Sequence, residues 1–419
     1  MPIGNVGQSI AAQSEFIRPE LEMLALLSSV LWKRIGVRTD VKAVSNRPAR
    51  IPFQPLTGGL FRTGSFDGGD LGLGSGPTEA PGYLSCVSFL QASQYTALAE
   101  WSTDSDEKAI QNYVTLTHEQ ASKTFGGYMD AVLQGDGSNT LDTVVSTVAG
   151  GIVVNNANAF QDNQIVDIWT AIGGAFVATV QIESVDIANN TIWLTAAVPG
   201  GVAAGYPILV SGSSGQANAG LFGLRYYQVA GNAGNFMGIQ RSAFPGKFST
   251  PNINLGGKSL TPAVVRALQA SQVLALGEDV INASDNVAHC NVDMQSAWEN
   301  NAILVQRVIQ NEVKGDESVD MLKKKAPTVI AGRELIVNPR AKPGIIDFLS
   351  LKHWFRIETK ATDFYDVGGQ TLFPAYGESG GVASSMLFYM VIMCQVGNGQ
   401  PRQGAYLSNV AIPPNYFGH

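Results

Sequence analysis

Charge is scarce in this chain. Asp, Glu, Lys and Arg make up 15% of its 419 residues, against about a quarter in an average soluble domain. Hydrophobic residues make up 45%, enough for a sizeable core and a largely neutral surface. Such a surface suits a protein that buries much of its area against copies of itself. Basic clusters are absent too: the densest run is Lys323-Lys324-Lys325, and the formal net charge is −7. Phosphate binding needs clustered Lys and Arg, so a dedicated nucleic-acid binder is excluded, and the short run reads as a solvated loop. Cysteine is nearly missing. Cys86, Cys290 and Cys394 are the only three, without CxxC spacing, which excludes a disulfide framework and a zinc site and fits folding in a reducing compartment. The longest apolar run, Met386–Cys394, is far short of the roughly 20 residues a membrane-spanning helix needs. No basic n-region precedes ELEMLALLSSVLW at 20–32, so it is no signal peptide. Leu21, Leu24, Leu27 and Leu31 place it on a short amphipathic helix instead.

Glycine is abundant where charge is not. Nine of the 25 residues in GGLFRTGSFDGGDLGLGSGPTEAPG, 58–82, are glycine. Strand-like stretches flank this tract, VKAVSNRPARIPF before it and YLSCVSFLQASQYTALAEWS after it. The two arms and their tip make a large hairpin. Ordering so many glycines costs entropy, so the hairpin rests on something else. A long helix follows over 104–134. Ser102, Thr103 and Asp104 can cap it, Asp106 and Glu107 put negative charge in its first turn, and Ile110, Tyr113, Phe125, Met129 and Val132 recur at helical spacing. Gly126-Gly127 inside it predicts a bend or a close contact. Residues 152–212 then alternate in period two, with turns at Asn189-Asn190 and Pro199-Gly200-Gly201, which predicts a small barrel or sandwich. Beyond 217 the chain is mixed. A hairpin is expected at LRYYQVAGNAGNFMGIQR, helices at TPAVVRALQASQVLALG and DMQSAWENNAILVQRVIQ, and strands at APTVIAGRELIVN, FRIETKATDFYDV and SSMLFYMVIMCQV.

Three motifs imitate chemistry. VAHC at 287–290 and GESGG at 377–381 echo the histidine and serine motifs of trypsin-like proteases. A triad needs serine, histidine and a buried aspartate brought together by two β-barrels; here His289 and Ser379 are only 90 residues apart and Glu378 stands where Asp is expected. A serine hydrolase is the remote alternative. NINLGGKS at 252–259 lacks the first glycine of GxxxxGK[ST], with Asn252 in its place. GLGSG in the glycine tract is followed by Pro77 and Pro81, where a dinucleotide site needs a helix N-terminus. The histidines 118, 289, 353 and 419 are dispersed, and His118-Glu119 lacks a second histidine. Asp104, Asp106 and Glu107 read as an acidic helix start. No catalytic residue, metal or cofactor is expected.

One segment carries more weight. DFLSLKHWFRIETKATDFYDVGGQTLFPAYGESGGVASSMLFYMVIMCQVGNGQPRQGAYL, 347–407, resembles the C-terminal part of tailed-phage major capsid proteins of the Hong Kong 97 fold, and LFGLRYYQVAGNAGNFMGIQRSAFP, 221–245, is similar to the same family. The order of parts agrees along nearly the whole chain. The resemblance implies an α+β fold: an N-terminal arm (1–40), an extended β-hairpin loop (41–99), a peripheral domain with a spine helix (100–151), an inserted small all-β domain (152–212), and an axial domain with returning peripheral strands (213–419). It implies a non-enzymatic virion protein that assembles in the host cytoplasm, as hexamers and pentamers, into an icosahedral shell around double-stranded DNA. The DNA is enclosed without sequence-specific binding, and no membrane is involved. A portal protein and a separate scaffolding protein are implied partners, since only about 40 residues precede the hairpin, and a decoration protein could join them. An encapsulin-like compartment is the alternative within the same fold. Some members cross-link the extended loop through a lysine; here none occurs between Lys42 and Lys108, so a non-covalent shell is expected. The expected contacts to a neighbouring subunit are Leu60, Phe61, Arg62, Phe66, Leu71 and Leu73, with Phe61 and Phe66 as anchors. Arg50 and Arg62 are expected to pair with a neighbour's acids.

Overall fold

The computed structural model describes residues 29–40, 48–59, 61, 74–96, 113–277, 285–299, 329–376 and 382–413. Their longest helix, α1 (Tyr113–Leu133), presents Ala121, Phe125, Met129 and Val132 to the core. These positions recur every three or four residues and so share one face; burying Phe125, Met129 and Val132 is worth about 1.5–3 kcal/mol each. The face packs on a five-stranded sheet. Its order is Gly36–Val37, Trp354–Phe364, Val382–Asn398, Leu372–Tyr376, with Val87–Thr96 on the far side of the long central strand. The helix runs unbroken through Gly126-Gly127, and a Cβ on Gly127 would lie 2.5 Å from the Arg340 guanidinium and 2.8 Å from the Gln161 amide. Of the two glycines, Gly127 serves close contact.

Directly after α1 the chain enters a closed six-stranded barrel. Its strands run Pro207–Val210, Thr140–Val148, Gly151–Val154, Thr191–Leu194, Phe176–Asp186 and Ile165–Trp169 around the circle. Ile152, Val166, Ile168, Ile182, Ile192 and Ile208 are fully buried and fill it. Left-handed Asn190 (φ 48°) closes the turn before Thr191, a conformation asparagine tolerates. The barrel takes its first strand from 140–148, ahead of the period-two region.

A second sheet of six strands follows the order Asn252–Asn254, Ala405–Ser408, Ile346–Ser350, Asn286–Cys290, Arg333–Val337, Val329–Ile330. The two central strands are buried at every position, the polar Asn286, His289, Asp347 and Ser350 included. Leu260, Val265, Leu268, Cys290, Ile346, Phe348 and Leu407 form a core of their own there. Helix Pro262–Leu276 covers it, starting as the sequence dictates, with Thr261 accepting a hydrogen bond from Val264 N–H and proline at its first position. All three cysteines are free thiols.

Two expectations are corrected. The segment 224–241 is not one hairpin: a single helical turn, Leu224–Tyr227, precedes a minimal strand pair, Asn235–Phe236 with Ile239–Gln240. Tyr226 and Tyr227 are buried in an aromatic cluster with Phe222, Phe236 and Trp354, and that packing overrides the extended pattern. At the N-terminal end, the chain turns through a short 3-10 segment, Trp32–Arg34; the rest of the expected helix, up to residue 28, lies outside the described residues.

Candidate inter-subunit surface

The arm consists of Ala49–Leu56 paired antiparallel with Thr78–Leu84. Pro52 stands directly opposite Pro81. Proline has no N–H to give a ladder, so both ring nitrogens face away from the partner strand and leave each outer edge without a donor at that position. The strand Val87–Thr96, which follows the arm, leaves it and pairs along its whole length with Ser385–Cys394. Buried Phe89 and Tyr95 hold it in the main sheet.

The root of the arm is docked. Phe53 meets Phe236 and Phe248 edge-on at centroid distances of 5.4 and 5.8 Å. Tyr83 N–H donates to Met237 C=O at 2.8 Å, and the space over Gly82 is taken by the Phe53 ring, 2.7 Å from where a Cβ would sit. Beneath this platform Arg241, 1% exposed, donates to the carbonyls of Phe248 and Tyr226 and lies 5.5 Å from the Phe236 ring centre. Burial pushes its guanidinium below the usual arginine range. Further out the contacts run out. Gly59 N–H still bonds Ser75 C=O at 2.7 Å, but Leu56 is 43% exposed and Phe61 entirely exposed. Leu60, Arg62, Phe66, Leu71 and Leu73 lie outside the described residues. Arg50 is exposed and has no ion pair among the described residues.

The buried polar groups hold modules together. His289 is fully buried in its strand, with Nδ1 3.6 Å from Asp347 Oδ2 and Nε2 3.3 Å from Asn338 Nδ2. Asp347 pairs with Arg225. Burial raises the Asp347 carboxyl, but Arg225 and His289 outweigh it and hold the group below the usual carboxylate range. His289 therefore sits where no substrate reaches, and Ser379 lies outside the described residues. Asp130, on α1 and fully buried, is the residue that sequence reading passed over. Its carboxylate accepts the N–H groups of Val30, Leu31 and Trp32 at 3.0–3.1 Å and the Asn338 amide at 2.9 Å. It clasps the start of the described chain to α1 and to the 338–342 loop. That loop also receives the Asn156 amide of the barrel, at 2.9 Å on Pro339 C=O and 3.0 Å on Ala341 C=O.

The loop at 252–259 binds no phosphate in this arrangement. Gly256 N–H donates to Asn254 Oδ1, Gly257 N–H to Asn409 C=O and Lys258 N–H to Leu255 C=O, which uses the donors a phosphate needs. Among the described residues no three His, Cys, Asp or Glu side chains gather to hold a metal, and no helix is long and apolar enough to cross a membrane.

No protein-family model matches the sequence, and neither does any curated protein. Solved structures do match. A chain of the cyanophage A-1(L) capsid asymmetric unit superimposes with a TM-score of 0.56 at 13% identity, covering 94% of this chain and 97% of that one. A chain from the capsid of a native GTA particle gives 0.51 at 10% identity, covering 97% and 100%. The class is thereby defined: this is an α+β capsid fold. More particularly, it is the Hong Kong 97-like fold of tailed-phage major capsid proteins, carried along nearly the full chain.

Proposed function

We propose that this chain is the major capsid protein of a tailed double-stranded DNA virus, a structural subunit that assembles with itself as hexamers and pentamers into the icosahedral shell of the virion. The single observation that carries the reading is the chain-long match to capsid chains. The arm supports it: its root is built into the subunit, its outer edges lack a donor at Pro52 and Pro81, and Phe61 stands free in solvent. An aromatic ring left wholly exposed on a glycine-rich tip gains nothing within one subunit and about 1.5–3 kcal/mol on burial against a neighbour. Leu60, Arg62, Phe66, Leu71 and Leu73 belong to the same proposed contact. The enclosed DNA meets an acidic, charge-poor protein, which suits containment without grip. Portal, scaffolding and decoration proteins complete the proposed assembly, which forms in the host cytoplasm.

Electron microscopy of the purified protein, or of its source particles, tests this. Closed shells, DNA-filled when taken from source, are the expected result; shells filled with protein cargo would move the reading to a compartment. Monodisperse monomers under all conditions would sink it. Phe61→Asp, or deletion of 60–74, is expected to leave the subunit melting temperature unchanged and abolish stable shells, and normal shells from either variant would show that the tip is not the contact.

A further inference from the structure

One long sheet edge in this subunit is left unguarded. The strand Val87–Thr96 pairs with Ser385–Cys394 on one side only. Among the described residues no backbone hydrogen bond reaches the other side of 87–94, so the outward N–H and C=O groups there stand open. The strand is ten residues long, and its sequence, VSFLQASQYT, holds no proline and no charge. Proline and charge are two of the devices that keep a strand edge from pairing with another chain. The other edge strands of the described sheets have them or are short. Ala49–Leu56 and Thr78–Leu84 carry both, and Trp354–Phe364 carries Glu358, Lys360 and Asp363. The rest are five residues or fewer.

Space lies beside this edge. Along 87–90 it borders a groove of about 420 Å³ that the 211–214 segment flanks, with its three serines, and no charged side chain lines it. The strand also alternates cleanly. Phe89 and Tyr95 are buried, whereas Ser88, Leu90, Ala92 and Gln94 are exposed, Leu90 by 61%. An exposed leucine on such an edge gains a cross-strand contact when a further strand is added on its side.

We propose that this edge pairs with the same strand of a second copy, antiparallel across a two-fold axis perpendicular to the sheet near Gln91 and Ala92. What completes an open ladder is another open ladder of matching length, and of the described edges only this one is both long and unguarded. Two copies of it meet without like charges, which would oppose the pairing. The two-fold keeps each face with its like: Leu90 falls opposite Ala92 of the mate for an axis at Gln91, and opposite Gln94 for an axis at Ala92. The contact is isologous and joins the two five-stranded sheets into one. It rests on the self-assembly reading for its second copy, and it uses a surface separate from the arm tip.

Hydrogen exchange of the full chain, read by mass spectrometry in free subunits and in assemblies, tests this. In free subunits every second amide of 87–94 should exchange fast, while those bonded to 385–394 are slow. In assemblies the fast set should slow by at least about tenfold. A partner that covered only the Leu90 face would leave those outward amides fast. Ala92→Cys supplies a second readout at an exposed position. In either register its sulfur lies within about 8 Å of its mate's strand position, so a short bismaleimide should link two copies in assemblies, beyond any linkage in the parent chain. Assemblies whose outward amides keep the free-subunit rate, or that give no added cross-link, overturn the pairing and leave the shell reading standing. Dimers with protected amides that never close into shells support the pairing and sink the shell reading. Monomers under all conditions overturn both.

Discussion

Replacing Asp130 by alanine removes the one acceptor that three consecutive backbone amides and the Asn338 side chain share. Each donor left buried and unpaired costs about 1–3 kcal/mol. Four of them would set an upper range near 4–12 kcal/mol, but residues 29–32 can lift away and let water reach the amides. We therefore expect a net loss of about 3–5 kcal/mol, a large part of the roughly 5–15 kcal/mol that holds a typical domain together. Asp130→Asn should cost less, since its carbonyl still serves one side of the cluster while its NH₂ faces donors on the other. Two measurements separate local from global effects. Urea unfolding of the soluble subunit should show the midpoint falling by about 1–2 M for alanine. Hydrogen exchange of the 30–32 amides should accelerate about a hundredfold or more, at roughly tenfold per 1.4 kcal/mol. A folded Asp130→Ala protein whose 30–32 amides exchange at the parental rate would refute the clasp.

Phe53→Ala should cost about 2–3 kcal/mol, less than a fully buried phenylalanine, and should free the arm root from the Phe236–Phe248 platform; protease cutting within 49–84 at the parental rate would count against that docking. Gly223→Ala should be worse than its small size suggests, because the new Cβ would meet the Leu133 carbonyl at 2.3 Å and the Gly135 carbonyl at 2.6 Å. Backbone must move at both contacts, so a loss above about 2 kcal/mol in chemical denaturation is expected. Acid should weaken the subunit through Asp347. Its folded-state pKa is lowered, so its contribution is present above the unfolded carboxylate value of about 4 and is lost as pH falls through the folded value. Denaturation midpoints measured from pH 6 downward should fall less steeply below about pH 4 in Asp347→Asn than in the parent.

How much of this was legible in the sequence depended on how local the cause is. The helix Pro262–Leu276 carries its own start signal, Thr261-Pro262, and needs nothing distant. The barrel strands after 152 alternate because one face fills a small interior. The first barrel strand, Thr140–Val148, does not: Thr140, Leu141 and Asp142 are buried in succession and 145–148 are largely exposed, so no period marks it. The arm was legible as a hairpin, but the departure of Val87–Thr96 was not, because a strand's own pattern does not say which partner it will find. Asp130 is the extreme case. Within MDAVL it reads as a lone polar residue on an apolar helix, while the groups that explain it lie about a hundred residues upstream and two hundred downstream.

That distance is also what gives Asp130 its place in the subunit. A helix as long as α1 could be fixed to its sheet by apolar contacts alone, and the Ala121, Phe125, Met129 and Val132 face does so. Apolar contacts are not directional, however, and they tolerate sliding. A buried carboxylate with four donors does not. It fixes the register of the helix against the segment at 30–32 and against Asn338, and Asn338 passes that register to His289 in the second sheet, while Asn156 fixes the barrel to the same loop. The barrel and the five-stranded sheet, which share one apolar core, and the second sheet, which has a core of its own, are thus keyed at one polar junction. In the proposed shell every copy must present its arm at the same angle to a neighbour. A junction that forbids small rotations between modules serves that need better than additional apolar area would.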